Sequence, residues 1–114
     1  METPSKVNTN NICVLSQDLI LEVSNLNEKE ELKSLKFLDL HLRDEAKGKI
    51  RKIENLNSLA NLRLLNLSYN LITKIEGLDS LNSLVELNLA ENSIHHVVVI
   101  TIFNFLPFST LFHY

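Results

Sequence analysis

The chain is poor in the residue types that several common kinds of site require. Its 114 residues include no tryptophan, one cysteine and two glycines. The lone cysteine, Cys13, excludes an intramolecular disulfide framework and indicates a reducing compartment. The glycines, Gly48 and Gly77, are too few and too far apart to form a phosphate-cradling loop. These absences argue against a disulfide-rich scaffold and against a nucleotide-binding loop.

The charge balance and the first residues bear on partners and location. The formal net charge is -3 and the sequence pI is about 5.8. A surface dominated by phosphate-neutralising residues is therefore not expected, and no nucleic-acid partner is predicted. The opening stretch METPSKVNTN contains no apolar run, so no secretory signal peptide is predicted. We expect a cytoplasmic protein, with residues 1–11 as a disordered polar tail.

Residues that could carry chemistry are scattered along the chain. His95 and His96 are adjacent, so their side chains point in opposite directions if the segment is extended. Cys13, His41 and His113 have no metal-ligand spacing with them. No nucleophile stands in a recognisable pattern with a base. We therefore expect no metal, no cofactor, no small-molecule substrate and no enzymatic activity.

The chain does contain a repeat, at a shift of 22 residues in RLLNLSYNLITKIEGLDSLNSLVELNLAENSI. The first copy has Leu62, Leu65, Leu67, Asn70 and Ile72, and the second has Leu84, Leu87, Leu89, Asn92 and Ile94. An earlier partial copy, SLKFLDLHL, has Arg43 where the asparagine would stand. Three copies of LxxLxL predict an α/β fold: a short leucine-rich repeat solenoid of about three coils, with a parallel concave sheet, over residues 35–96.

Residues 12–34 are predicted to form an N-terminal helical cap on these repeats. Ser16 precedes an apolar helical pattern and is a candidate N-cap. Asn27 and Glu30 have the spacing of a second helix start with a capping box. The pattern fits either one broken helix or two short ones.

The repeated asparagines, Asn70 and Asn92, are predicted to be structural. A tight corner leaves backbone groups unpaired, and an inward-turned asparagine side chain can satisfy them. We therefore expect both side chains to be buried.

The strand residues between the repeated leucines are predicted to line the concave face, because side chains alternate along a strand. Three columns follow across the coils: Phe37, Leu64 and Glu86; Asp39, Asn66 and Asn88; His41, Ser68 and Ala90. Exposed apolar neighbours often mark an interface, so Phe37 and Leu64 are candidate anchors for a protein partner. Alternatively, they pack against the N-terminal helices or each other, and the Asp39–Asn66–Asn88 column is only a solvated surface.

The last segment, residues 97–114, carries no charge and fits no repeat. It is short for a membrane-spanning helix, contains Pro107 and has no basic flank, so membrane insertion is disfavoured. It is otherwise a poor substitute for a missing C-terminal cap, or an aggregation-prone edge.

The stretch NLRLLNLSYNLITKIEGLDSLNSLVELNLAENSI resembles the 22-residue class of leucine-rich repeats, typified by a regulatory subunit of protein phosphatase 1. Residues 50–59 and 72–81 are the most specific part, and the resemblance covers about residues 35–96. LNLSYNLITKIEGL, with an enlarged first repeat preceded by helices, is similar in a narrower way to the repeat region of centriolin and related centrosomal and ciliary proteins. Arg43 and the segment after His96 depart from the family pattern.

The resemblance implies a scaffold without catalytic residues that binds proteins mostly through its concave strand face. We therefore expect a non-catalytic interaction module in the cytoplasm, at the centrosome or cilium, or one that regulates a phosphatase. The alternative is a truncated short form with little binding function, unstable or membrane-associated through its apolar C-terminal tail.

Overall fold

The structure of the chain, a computed structural model, describes residues 12–41 and 48–97. The predicted tail of residues 1–11, the charged residues 42–47, which include Arg43, and residues 98–114 lie outside the described residues. The described part is a mixed α/β fold with parallel strands.

Short strands alternate with turns along most of the described chain. The helical elements are α1 (Gln17–Ser24) and a 3₁₀ helix (Lys29–Ser34). The strands are β1 (Ile12–Cys13), β2 (Phe37–Asp39), β3 (Lys49–Ile50), β4 (Leu64–Asn66), β5 (Lys74–Ile75), β6 (Glu86–Asn88) and β7 (His96–Val97).

The largest sheet has three parallel strands in the order β2–β4–β6. Phe37 pairs with Leu64, and Leu64 pairs with Glu86. The ladder continues past the strand ends, where the Leu40 N–H donates to the Asn66 carbonyl at 2.7 Å. The pairs are those of the predicted columns, because the repeated leucines fix which residues stand side by side.

Two smaller parallel sheets pair β1 with β3 and β5 with β7. Strand β1 falls within the predicted helical cap, so the first residues of that cap are extended rather than helical. Strand β7 includes Val97, so the paired structure extends one residue beyond the predicted end of the repeats.

The N-terminal helices are two separate short elements. The Ser16 hydroxyl accepts a hydrogen bond from the Leu19 N–H at 3.1 Å, which is the N-cap contact that the sequence predicts. Helix α1 ends at Ser24, and the left-handed backbone of its C-cap Asn25 (φ 57°) stops the helix. Helix α1 then packs against β2, beside the three-stranded sheet.

The start of the 3₁₀ helix differs by one residue from the prediction. Its N-cap is Glu28, not Asn27, and the reaching carboxylate belongs to Glu31, not Glu30. The Glu31 Oε1 accepts from the Asn27 and Glu28 N–H groups, each at 3.0 Å. The Glu28 bond and then the Asn27 bond stabilise the charged carboxylate and hold the pKa of Glu31 below its ordinary value.

Leucine and isoleucine supply the core, in which each inward position of the three strands is occupied. Full burial of such a side chain contributes about 1.5–3 kcal/mol. The buried apolar side chains are Leu15, Ile20, Leu32, Leu38, Leu40, Ile50, Ile53, Leu56, Leu59, Leu62, Leu65, Leu67, Ile72, Ile75, Leu78, Leu81, Leu84, Leu87 and Leu89.

We call the successive stretches 12–34, 35–61, 62–83 and 84–97 layers of the chain. Gly77 lies in a turn that closely approaches Ile53 in the preceding layer. Its φ is +71°, and a Cβ at this position would lie 2.5 Å from the backbone oxygen of Ile53. Asn55, which stands 22 residues earlier, also has a left-handed backbone (φ 61°). The Asn55 side chain donates to the Leu15 carbonyl at 2.8 Å. The two turns thus share a conformation but contact the preceding layer differently.

The described helices are all too short or too polar to cross a membrane.

Candidate functional site

The outer side of the three-stranded sheet is the surface that the sequence singled out, and we call it the strand face. Leu38, Leu65 and Leu87 point into the core, so the residues on either side of them point outward. The strand face consists of Phe37, Leu64, Glu86, Asp39, Asn66 and Asn88.

Phe37 and Leu64 form an apolar pair at one side of the strand face, and we call this pair the apolar step. The Phe37 side chain is 64% exposed, although its neighbour Leu64 is half-buried. The two residues are paired across β2 and β4. Phe37 is therefore not covered by α1 or by the 3₁₀ helix, contrary to the alternative in which the N-terminal helices bury it.

The middle column of the strand face has a structural role that the sequence did not reveal. In each of three strands, a side-chain oxygen accepts the backbone N–H two residues further on. Asp39 Oδ1 binds the His41 N–H at 3.1 Å, Asn66 Oδ1 binds that of Ser68 at 3.0 Å, and Asn88 Oδ1 binds that of Ala90 at 3.0 Å. Such bonds turn the chain at a strand end. This column therefore shapes the turns and is more than a solvated surface.

The predicted third column does not form a surface. Ser68 is only 5% exposed, and its hydroxyl donates to Asn66 Oδ1 at 2.7 Å. Ala90 and His41 are half-buried. The alternation fails here because the strands end at the middle column, and the chain turns after it.

The His41 side chain packs against the Tyr69 side chain. Its ring lies 5.5 Å from the Tyr69 ring, centre to centre, at an interplanar angle of 59°. Its Nδ1 lies 3.9 Å from Oδ1 of the exposed Asp39. Its Nε2 is buried and has no hydrogen-bond partner among the described residues.

Three residues at the beginnings of the strands were missed by the sequence reasoning. Lys36, Arg63 and Val85 directly precede the outward residues of β2, β4 and β6, and all three are exposed. The strict alternation suggested that a residue next to Phe37 would point inward. The signal that would have found them is the leucine spacing itself, because LxxL places two consecutive residues outside the core.

Asn70 and Asn92 join successive layers through equivalent hydrogen bonds. The Asn70 amide donates to the Leu40 and Leu67 carbonyls, each at 3.0 Å, and its Oδ1 accepts from the Ile50 N–H at 2.9 Å. The Asn92 amide donates to the Leu67 carbonyl at 2.9 Å. Asn70 is buried at 3% exposure, but Asn92 is half-buried, so the prediction that both are buried is wrong for Asn92.

The strand face offers an aromatic ring, an aliphatic chain, two carboxylates and two amides on short strands. No group of three or more histidine, cysteine, aspartate or glutamate side chains is placed to hold a metal ion within residues 12–41 and 48–97.

Comparison with known proteins adds no relative. No family model matches the chain, and no curated protein or solved structure matches it.

Proposed function

We propose that residues 35–96 form a short leucine-rich repeat solenoid of about three coils, and that the chain is a non-catalytic scaffold for a protein partner. Support for the repeat comes from the parallel register of β2, β4 and β6. It also comes from the matched hydrogen bonds of Asn70 and Asn92. In such a stack each coil buries its apolar side only against its neighbours.

The observation that carries the binding proposal is the exposed Phe37 beside Leu64 on the strand face. A phenylalanine side chain left largely in water contributes little to the stability of the chain. Aromatic residues with apolar neighbours are common anchors in protein interfaces, where they fill a pocket of the partner. A partner that docks on the strand face would therefore gain binding free energy by burying the Phe37 side chain.

The resemblance to centrosomal, ciliary and phosphatase-regulatory repeat proteins directs the first test to the cytoplasm of ciliated cells. The full chain is used as bait in a lysate, beside Phe37→Arg. The matched control is Val14→Arg, because Val14 is also an exposed apolar residue (59%) but lies outside the strand face. We expect a discrete set of captured proteins that Val14→Arg retains and Phe37→Arg loses.

The test avoids the middle column on purpose. Arginine at Asp39, Asn66 or Asn88 would also remove a turn hydrogen bond, so a loss of binding would not separate contact from misfolding. If the Phe37→Arg and Val14→Arg baits capture the same proteins as the unchanged chain, the strand face is not the binding surface.

A further inference from the structure

Two cationic residues lie side by side where β2 and β4 begin. The Lys36 carbonyl accepts hydrogen bonds from the Arg63 N–H at 2.8 Å and from the Leu64 N–H at 3.1 Å. Lys36 and Arg63 are therefore neighbours across the sheet, at the strand spacing of about 4.8 Å. Both side chains are exposed.

Neither cation makes an ion pair within the described part of the chain. The ion pairs of lysine there join Lys52 with Glu54 and Lys74 with Glu76. Like charges placed opposite each other on neighbouring strands repel and weaken the sheet. An anionic group that lies between Lys36 and Arg63 would relieve this repulsion, and binding would gain from both charges.

The apolar step begins at the next residue of each strand. Phe37 and Leu64 follow Lys36 and Arg63 directly, and they are paired in register. A cationic row and an apolar row thus run in parallel across β2 and β4. Consecutive residues of a strand are about 3.3 Å apart, so both rows lie within reach of neighbouring residues of a single peptide.

Two exposed carboxylates border the Phe37–Leu64 pair on its other sides. Glu86 on β6 is paired with Leu64, and Asp39 ends β2 two residues beyond Phe37. An acidic partner residue is repelled there, so its favoured place is over Lys36 and Arg63. This polarity fixes the direction in which a partner lies on the sheet.

We propose that the occupant of the strand face, and of the adjoining cationic row of Lys36 and Arg63, is a peptide segment of a protein partner in which an aspartate or glutamate adjoins a bulky apolar residue. The carboxylate lies between Lys36 and Arg63, and the apolar side chain contacts Phe37 and Leu64. This inference rests on the proposed function, because it names the partner of the same surface.

The test is selection from a library of short linear peptides displayed for binding to the full chain. Selected peptides are then measured by fluorescence anisotropy against Lys36→Glu/Arg63→Glu and against the matched control Lys52→Glu/Lys74→Glu. The two double variants carry the same net charge, and Lys52 and Lys74 belong neither to the strand face nor to the cationic row of Lys36 and Arg63. Urea unfolding verifies that each variant folds like the unchanged chain.

We expect the selected peptides to be enriched in acidic residues next to bulky apolar ones. Affinity should fall about tenfold or more in Lys36→Glu/Arg63→Glu, because two attractive contacts become repulsive. It should fall less than about twofold in the control, where only long-range attraction changes. Phe37→Ala should also weaken the same peptides.

Several results would overturn the inference and show which proposal fails. Two outcomes would contradict the acidic partner but not the binding role of the strand face. In one, the peptides lose affinity with Phe37→Ala but show no preference for acidic residues. In the other, they lose affinity with Phe37→Ala but bind Lys36→Glu/Arg63→Glu as well as the unchanged chain. Peptides insensitive to Phe37→Ala and to the charge reversal contradict both proposals. A selection without binders contradicts the peptide inference, and a strong preference for phosphoserine over glutamate contradicts the carboxylate.

Discussion

Asn70 and Asn92 occupy equivalent places in two successive layers, but only Asn70 is buried. Each amide donates to the carbonyl of the leucine three residues earlier and to a carbonyl of the preceding layer. Strand β4 has a neighbour on both sides, whereas β6 pairs only with β4 among the described residues. The repeated sequence thus reproduces the hydrogen bonds, and the burial of those bonds depends on the next layer.

The largest effect on the free energy of unfolding is expected for the buried leucines of β4 and β6. Here the two layers should lose similar amounts of stability. Leu65 on β4 and Leu87 on β6 are both 0% exposed. Truncation of a buried leucine to alanine loses transfer free energy and leaves a cavity, at a cost of about 2–5 kcal/mol. We expect Leu65→Ala and Leu87→Ala both to lower the free energy of unfolding, measured in urea, by such an amount. A much smaller cost for Leu87→Ala would show that the outer layer opens before the rest unfolds.

The turns that contain Gly77 and Asn55 should differ by an intermediate amount in the stability that a substitution costs. Gly77→Ala places a Cβ against the Ile53 carbonyl in a left-handed backbone, and we expect a loss of about 1–3 kcal/mol. Asn55→Gly removes one hydrogen bond but suits the same backbone conformation, so its cost should stay below about 1 kcal/mol. Thermal unfolding of the two variants side by side measures the difference. Equal costs would argue against the close approach at Gly77.

The asparagines themselves should differ by a smaller amount. Asn70→Ala leaves buried backbone groups unpaired, for which the expected loss is about 1–3 kcal/mol. Around half-buried Asn92, water can replace part of the lost bonding, so we expect Asn92→Ala to cost about 1 kcal/mol less than Asn70→Ala. Urea unfolding at equilibrium would provide both values. A larger cost at Asn92 would contradict the link between burial and bond strength.

The smallest effect lies outside both layers, at Glu31. Its pKa is lowered in the folded chain, so its contribution to stability is present above the unfolded pKa and is lost as pH falls through the folded pKa. We expect the free energy of unfolding to fall less on acidification in Glu31→Gln than in the unchanged chain. Glu30→Gln, which keeps the Glu31 carboxylate, is the control and should retain the full loss.

Much of the fold follows from the leucine pattern alone. The spacing of the LxxLxL copies predicts the order and register of β2, β4 and β6, because that alignment places Leu38, Leu65 and Leu87 side by side in the core. The Ser16 cap could also be predicted, since it depends on its own helix. The paired strand at Ile12–Cys13 could not, because it requires a partner, β3, more than thirty residues away.

The candidate site was harder to predict than the fold. Ser68 is buried because the chain turns after Asn66, and the rule that side chains alternate along a strand takes no account of a turn. The dual role of Asp39, Asn66 and Asn88 depends on hydrogen bonds that residue type alone does not specify. The exposure of Phe37 depends on where α1 packs, which is a property of the tertiary structure.

The most direct test of the central claim is photo-crosslinking from the strand face in living ciliated cells. A photoreactive p-benzoylphenylalanine replaces Phe37 in one version of the full chain and exposed Asp79, outside the three-stranded sheet, in another. If the strand face binds a protein, irradiation yields a discrete higher-mass adduct from position 37 and none from position 79. Adducts of the same pattern from both positions, or none from position 37, would contradict the claim that this face is a binding surface.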